Sequence, residues 1–249
     1  MFYSTSHESL SSQESPVRLL ASSTVSGQAL VSAPFAEASR IETFSFREGE
    51  RIVAENQALR GVYFLKSGVV KTFFSRGSHR GRMSSPEFVT RLYGAGEFFL
   101  LGSSLLRKAA PQTALAVKPC EVLVYPTREV EEILKGPESL LKSVLLQVSK
   151  DQELQASLAK DQYLASVQEK IAHQLVLLAQ KFGTPRSGNG ITLNLKLTRN
   201  ELAQLAGTIN ESLSRHLTEL KSEGLIDLTG KEIHILDLES LKKRSGNFV

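Results

Sequence analysis

The apolar positions of this chain fall into three rhythms, and each predicts a different architecture. From Phe35 to about Pro137 they come as short β-rich runs broken by glycine: RIETFSF, RIVA, GVYFLKSGVVKTFF, EFVTRLYGAGEFFLL, TALAV and EVLVYP. Regular short strands of this kind read as a small sandwich or barrel-like β-roll. Gly49, Gly68 and Gly96 stand between strands in this reading, where tight turns favour positive φ. From Glu138 to Ala165 neither glycine nor proline interrupts the chain. Leu141, Val144, Leu145 and Val148 make a helical stripe there, resumed at Leu154 and Leu158 and interrupted by Asp151, Gln152, Gln155 and Gln162. Such polar positions are awkward in a globular core but tolerable in the seam of a two-stranded coiled coil. The spacing therefore predicts a helix of roughly 40 Å that joins two subunits along a two-fold axis, with a lone surface helix of a monomer as the alternative.

The third rhythm is a succession of short helices, each announced by its own start signal. Ser166 with Glu169, Thr198 with Glu201 and Thr208 with Glu211 have the spacing of a capping box. The first opens a helix with Ile171, Leu175, Leu178 and Ala179 inward, and marks a joint after the long helix. The loop GTPRSGNG and a short strand ITLNLKL follow. The second and third boxes open two helices hinged on Gly207. Leu202, Leu205 and Ala206 face inward on one, Ile209, Leu213, Leu217 and Leu220 on the other, and Ala203 is small enough for close approach. This predicts a helix-turn-helix. EGLIDLTGKEIHIL then places Leu225, Ile226 and Leu228, and Ile233 and Leu236, on either side of the turn Thr229-Gly230-Lys231, as the two strands of a wing would be.

The outer face of the second helix carries Asn210, Glu211, Ser212, Ser214, Arg215 and Thr218. In a major groove Arg bonds bidentately to guanine O6/N7, Glu accepts from cytosine N4, and hydroxyls reach phosphates. Double-stranded DNA is the expected partner. A solvated helical hairpin and a protein-binding module are the competing readings.

Composition adds exclusions more than assignments. The net charge of +4 and pI near 9.1 are compatible with a nucleic-acid partner without arguing for one. Cys120 is the only cysteine, so neither a disulfide framework nor an intrachain four-cysteine iron–sulfur cluster is possible. No metal-ligand pair, nucleophile with a nearby base or phosphate-cradling loop emerges, so an enzyme is not expected. With no long apolar run and no signal pattern, a cytoplasmic protein without membrane association is expected. Residues 1–33 are Ser-rich with few large apolar residues, and a mobile tail is expected there.

The helix-turn-helix segment resembles the DNA-binding domain of the cyclic-AMP receptor protein and fumarate–nitrate regulator (Crp/Fnr) family of bacterial transcription factors. The family's recognition helix carries a Glu and an Arg spaced as Glu211 and Arg215 are. The turns FREGE, LKSGVVK and GAGEFF, and the run Cys120-Glu121-Val122, resemble the family's effector-sensing β-roll in order and spacing. The resemblance implies an α+β fold: a cyclic-nucleotide-binding-like β-roll over 34–137, a dimerisation helix over 138–165 and a winged helix-turn-helix over 166–249. It also implies phosphate contacts from Arg199, Ser212 and the wing turn at Thr229, Gly230 and Lys231. Asn210 stands where the cyclic-AMP receptor protein has an Arg, which implies a different half-site.

What is sensed is less determined. Cyclic-AMP-binding relatives carry a Glu for the ribose after GEF and an Arg followed by Ser or Thr for the phosphate. Here the Glu position falls on Leu100 or Leu101 and the Arg position on Gln112, with only Thr113 matching. Without that Arg the usual cyclic-AMP cassette is not expected to work. Arg107 and Lys108 either supply the charge from a shifted loop or are solvated. The hairpin SRGSHRGRMSSPEF holds Arg76, His79, Arg80 and Arg82, with Arg91 beyond it. It reads as a cyclic-dinucleotide site, a soluble tip, or a contact to DNA or RNA polymerase. With the roll turn at Gly96, these arginines, Gln112 and Thr113 are the candidate effector residues. His79 and Cys120 are conceivable haem ligands, but no pattern demands that role, and a lone Cys in a β-rich run is usually core.

Overall fold

A computed structural model describes residues 40–75, 87–135, 138–186, 190–193 and 195–246, with some side chains of the long helix left out. The Ser-rich segment, Arg76, His79, Arg80 and Arg82, and the side chains of Leu141, Val144, Asp151, Leu158 and Gln162 lie outside what is described. Ten strands and seven helices follow in the described residues. They are β1 (Glu42–Phe46), β2 (Arg51–Val53), β3 (Val62–Ser75), β4 (Glu87–Gly94), β5 (Glu97–Phe99), α1 (Leu101–Leu105), β6 (Thr113–Tyr125), α2 (Thr127–Leu134) and α3 (Glu138–Leu164). Then come α4 (Val167–Phe182), β7 (Thr184–Pro185), β8 (Ile191–Leu193), α5 (Arg199–Leu205), α6 (Asn210–Ser222), β9 (Ile226–Thr229), β10 (Glu232–Ile235) and α7 (Leu238–Arg244).

The first sheet is antiparallel with order β1-β6-β3-β4, β2 pairing with β6 and β5 with β3. Strand β3 is apolar on both sides because both of its faces are covered. Tyr63 and Leu65 join the roll's inner core with Phe99, Cys120 and Val122, while Val62 and Phe64 pack with Phe98, Tyr125 and Val130 of α2. Alternation along a strand sends neighbours to opposite faces, so a continuous apolar run is what a strand covered on both faces needs. A third core gathers Ile171, Leu175 and Leu178 of α4 with Leu202, Leu213, Leu217, Leu220 and the wing's Ile226 and Ile233. Burying each such leucine contributes about 1.5–3 kcal/mol.

Three strand expectations change. Gly68 is not a turn between strands: β3 runs through it, with pairing shifts on either side of Ser67. Its φ of 94° serves a bulge opposite Pro119 and Cys120. TALAV and EVLVYP form one strand, β6, rather than two, because β3 is long enough to pair along the whole of it. The strand in ITLNLKL is limited to Ile191–Leu193, whose partners are β7 and the wing strand β10. Gly49 and Gly96 do stand in turns with positive φ. Helices α1, α2 and α7 were not anticipated. Helix α3 covers all but the last residue of the expected 138–165 segment, and Leu145, Leu146 and Val148 on it are exposed. Among the described residues no helix is long and apolar enough to cross a membrane.

Candidate nucleic-acid interface

The helix-turn-helix is set by its first cap. Thr198 Oγ1 accepts from the Glu201 amide at 3.2 Å, while Glu201 Oε2 accepts from the Thr198 amide at 2.7 Å, closing the capping box. Ser166 and Glu169 close another at the start of α4. Helix α5 ends at Ala206, and Gly207 turns the chain with φ 63°. The predicted box at Thr208 does not form. The Thr208 amide turns back to the Ala203 carbonyl at 2.9 Å, and α6 starts one residue later, with Ile209 as an extended N-cap that has no side-chain bond. Ile209 consequently leaves the predicted inward stripe and is exposed, whereas Leu213, Leu217 and Leu220 are fully buried.

Opposite that stripe, Asn210, Glu211, Ser214, Arg215 and Thr218 are exposed and Ser212 is half-buried. Thr218 Oγ1 donates to the Ser214 carbonyl at 3.0 Å, so its hydroxyl is already engaged within the helix. Arg215 extends into solvent with Nε 4.0 Å from Glu219 Oε1, and the other Glu219 oxygen lies 2.6 Å from His216 Nδ1. The end of α6 is tied to the wing by Lys221 and Asp227 at 2.9 Å. Gly230 makes the wing turn with φ 60°, flanked by exposed Thr229 and Lys231. The fold brings Arg199, Gly230 and Lys231 together in the lining of a mostly apolar hollow of about 260 Å³, with Leu178, Leu193, Leu202 and Ile233. Polar side chains thus line the exposed face of α6, and Arg199, Gly230 and Lys231 come together elsewhere on the winged domain.

The candidate effector residues are less coherent. Arg91 is paired in register with Thr72 on β3, which on its other side pairs with Ala114, next to Thr113. Gln112 Oε1 accepts from Thr90 Oγ1 at 2.9 Å, and Thr113 Oγ1 accepts from the Glu55 amide at 3.1 Å. The Arg91 guanidinium lies 4.8 Å from the centre of the Tyr93 ring. Gly96, whose amide donates to the Leu65 carbonyl, is seven residues away along β3 from the Thr72 position, roughly 20 Å, so it does not belong to the same cluster. Arg107 is exposed rather than turned into the roll, and on the surface it pairs with both oxygens of Glu131 on α2, at 3.0 and 3.1 Å. Cys120 is buried, and burial first, then the Glu50 charge, pushes its thiol up to about 11.

Comparison with known proteins matches residues 43–136 to the cyclic nucleotide-binding domain and residues 169–244 to the Crp-like helix-turn-helix domain. The chain belongs to the Crp/Fnr family. It is similar to the transcriptional activator protein Anr of Pseudomonas protegens, 27% identical over 207 residues that cover 82% of this chain and 80% of Anr. It is also similar to the CRP-like cAMP-activated global transcriptional regulator of Mycobacterium tuberculosis, 29% identical over 217 residues, 86% of this chain and 92% of that one. Its fold matches a Crp/Fnr-family regulator of Thermus thermophilus with a TM-score of 0.67 at 21% identity, over 84% of this chain and all of that one. As a Crp/Fnr-type transcriptional regulator it has the α+β architecture of the family: an N-terminal nucleotide-binding-type roll and a C-terminal helix-turn-helix.

One set of residues escaped the sequence reading. Lys71, on β3 of the roll, is buried and reaches Glu201 of α5 at 2.6 Å and Glu87 of β4 at 3.2 Å. Burial acts to lower the Lys71 pKa, but the two carboxylates prevail and hold it above its ordinary value. Burial likewise acts to raise the Glu201 pKa, and the bonds from Lys71 and Thr198 hold it below the ordinary value. The available signal was a lysine inside the apolar run VVKTFF, a position where a charge needs a partner.

Proposed function

We propose that this Crp/Fnr-type regulator is a homodimer that binds DNA sequence-specifically. The observation that carries the reading is α6 itself. Its apolar stripe is sealed in the core while Glu211 and Arg215 face solvent one turn apart. Glu211 accepts from cytosine N4 and Arg215 bonds guanine, with Asn210, Ser214 and Thr218 along the same edge. Arg199, Ser212, Thr229, Gly230 and Lys231 hold phosphates and fix the register. The exposed leucines and valine of α3 support a second copy packed there, with 138–165 as the dimerisation segment between roll and winged helix. A two-fold pair presenting recognition helices about 34 Å apart implies a near-palindromic operator.

Control does not pass through the usual cyclic-AMP cassette in this reading. Buried Leu100 is one of two positions matching the ribose Glu, Gln112 replaces the phosphate Arg, and Arg107 is held by Glu131. Cyclic AMP is therefore expected to leave thermal unfolding unmoved, where a ligand at a hundred times its Kd would stabilise by about 2.7 kcal/mol. A shift with cyclic di-GMP that is lost in Arg80→Ala and Arg82→Ala would assign control to the basic hairpin. DNA binding itself is tested by selecting duplexes from a random pool and titrating salt. A linear fall of log affinity with log salt and an enriched near-palindrome are expected. Absence of both would leave the helix-turn-helix as a protein-binding module.

A further inference from the structure

Strand β4 is the edge of its sheet, and an edge exposes backbone groups that seek a partner. Here the partner is a side chain from the other end of the molecule. Gln204 of α5 donates through Nε2 to the Glu87 carbonyl at 2.6 Å and accepts through Oε1 from the Val89 amide at 2.9 Å. Its amide thus bonds alternate residues of β4 much as another strand would. Beside it, Glu201 divides one carboxylate between two tasks: Oε2 caps α5, and Oε1 pairs with buried Lys71. Val69, Leu92 and Val117 of the roll extend the core of the winged domain, and Lys181 of α4 donates to the Leu92 carbonyl and pairs with Glu97 at 2.7 Å.

We propose that Gln204 and the Lys71–Glu201 pair are positioning residues that clamp the helix-turn-helix to the roll of its own subunit in the orientation used for DNA. The clamp engages α5 and leaves Glu211, Arg215, Thr229 and Lys231 exposed, so it is compatible with the groove contacts. A dimer whose two recognition helices must reach successive grooves binds more tightly when each is held at one angle, because less freedom remains to be lost on binding. The inference rests on the DNA-binding reading, and its test separates the two.

The full-length dimer and its Gln204→Ala and Lys71→Met variants are assayed on the selected operator and on versions with one or two base pairs added between half-sites. Both variants alter the clamp without touching the recognition face. Each is expected to bind the native operator about tenfold more weakly, as if the competent orientation fell to a tenth of the population, and to lose less than the wild type when spacing changes. Lys71→Arg is expected to restore the wild-type profile. Amide hydrogen exchange supplies a readout independent of DNA: the Val89 amide should be protected in the wild type and exchange faster in Gln204→Ala. Variants that melt lower yet keep the wild-type spacing profile would overturn the clamp while sparing the DNA reading. A wild type indifferent to operator sequence and spacing would overturn the DNA reading, and the clamp's role with it.

Discussion

Two glycines with nearly the same backbone conformation give a sharp test of the roll's geometry. Gly49 has φ 84° and Gly68 has φ 94°, so an alanine at either meets a similar dihedral penalty, about 1–2 kcal/mol. Their surroundings differ. A Cβ on Gly49 would find nothing within 4 Å, whereas one on Gly68 would lie 2.3 Å from the Pro119 carbonyl oxygen and 2.5 Å from Cys120 Cβ. Both obstacles belong to β6, so relief requires β3 and β6 to separate at the bulge, an overpacking cost of about 1–3 kcal/mol more. Gly68→Ala should therefore cost about 2–5 kcal/mol against about 1–2 for Gly49→Ala. At about 2–4 °C per kcal/mol for a chain of this size, calorimetry resolves the difference. Equal Tm losses would refute the bulge and return Gly68 to an ordinary turn.

Other consequences follow from the caps, the clamp and the buried thiol. Thr198→Ala should destabilise by about 0.5–2 kcal/mol through its lost cap, while Thr208→Ala, which caps nothing, should stay within about 0.5 kcal/mol by denaturant titration. Glu201 has a folded pKa below its ordinary 4.5, so its contribution is complete above that value and is lost as pH falls through the lower folded one; Glu201→Gln should flatten the acid limb of Tm against pH. Lys71, raised above 10.5, contributes fully below that value and loses its contribution only as pH rises through the higher folded one, so the pair should be insensitive to pH between these limits. The Cys120 thiol, pushed up to about 11 and buried, should resist alkylation at pH 8 in the folded protein and react after unfolding; rapid labelling of folded chain would contradict its placement.

What the sequence made legible was local. The box at Thr198 is fixed by a three-residue spacing, and the buried faces of α4 and of α6 from Leu213 on by helical period, so these could be read directly. Thr208 had the same spacing and failed because Gly207 bends the chain until the Thr208 amide meets Ala203, which delays the helix by one residue. Gly68 was misread for a related reason: a bulge and a turn both call for positive φ, and only the length of the partner strand distinguishes them. The bonds of Arg107 to Glu131 and of Lys71 to Glu201 span 24 and 130 residues, and no periodicity encodes them. The exposed polar face of α6 was visible because one helix displays it all. The clamp was not, because it exists only where two distant segments meet.

The central claim is that α6 reads DNA bases, and the most direct measurement is an anisotropy titration of the protein and its Arg215→Ala variant on the selected operator and on a half-site-shuffled control. The wild type is expected to prefer the operator, and Arg215→Ala to lose about 1–3 kcal/mol on it and to relax its preference at one base position. An Arg215→Ala variant that binds the operator as tightly and as selectively as the wild type would contradict the assignment of α6 as the reading helix.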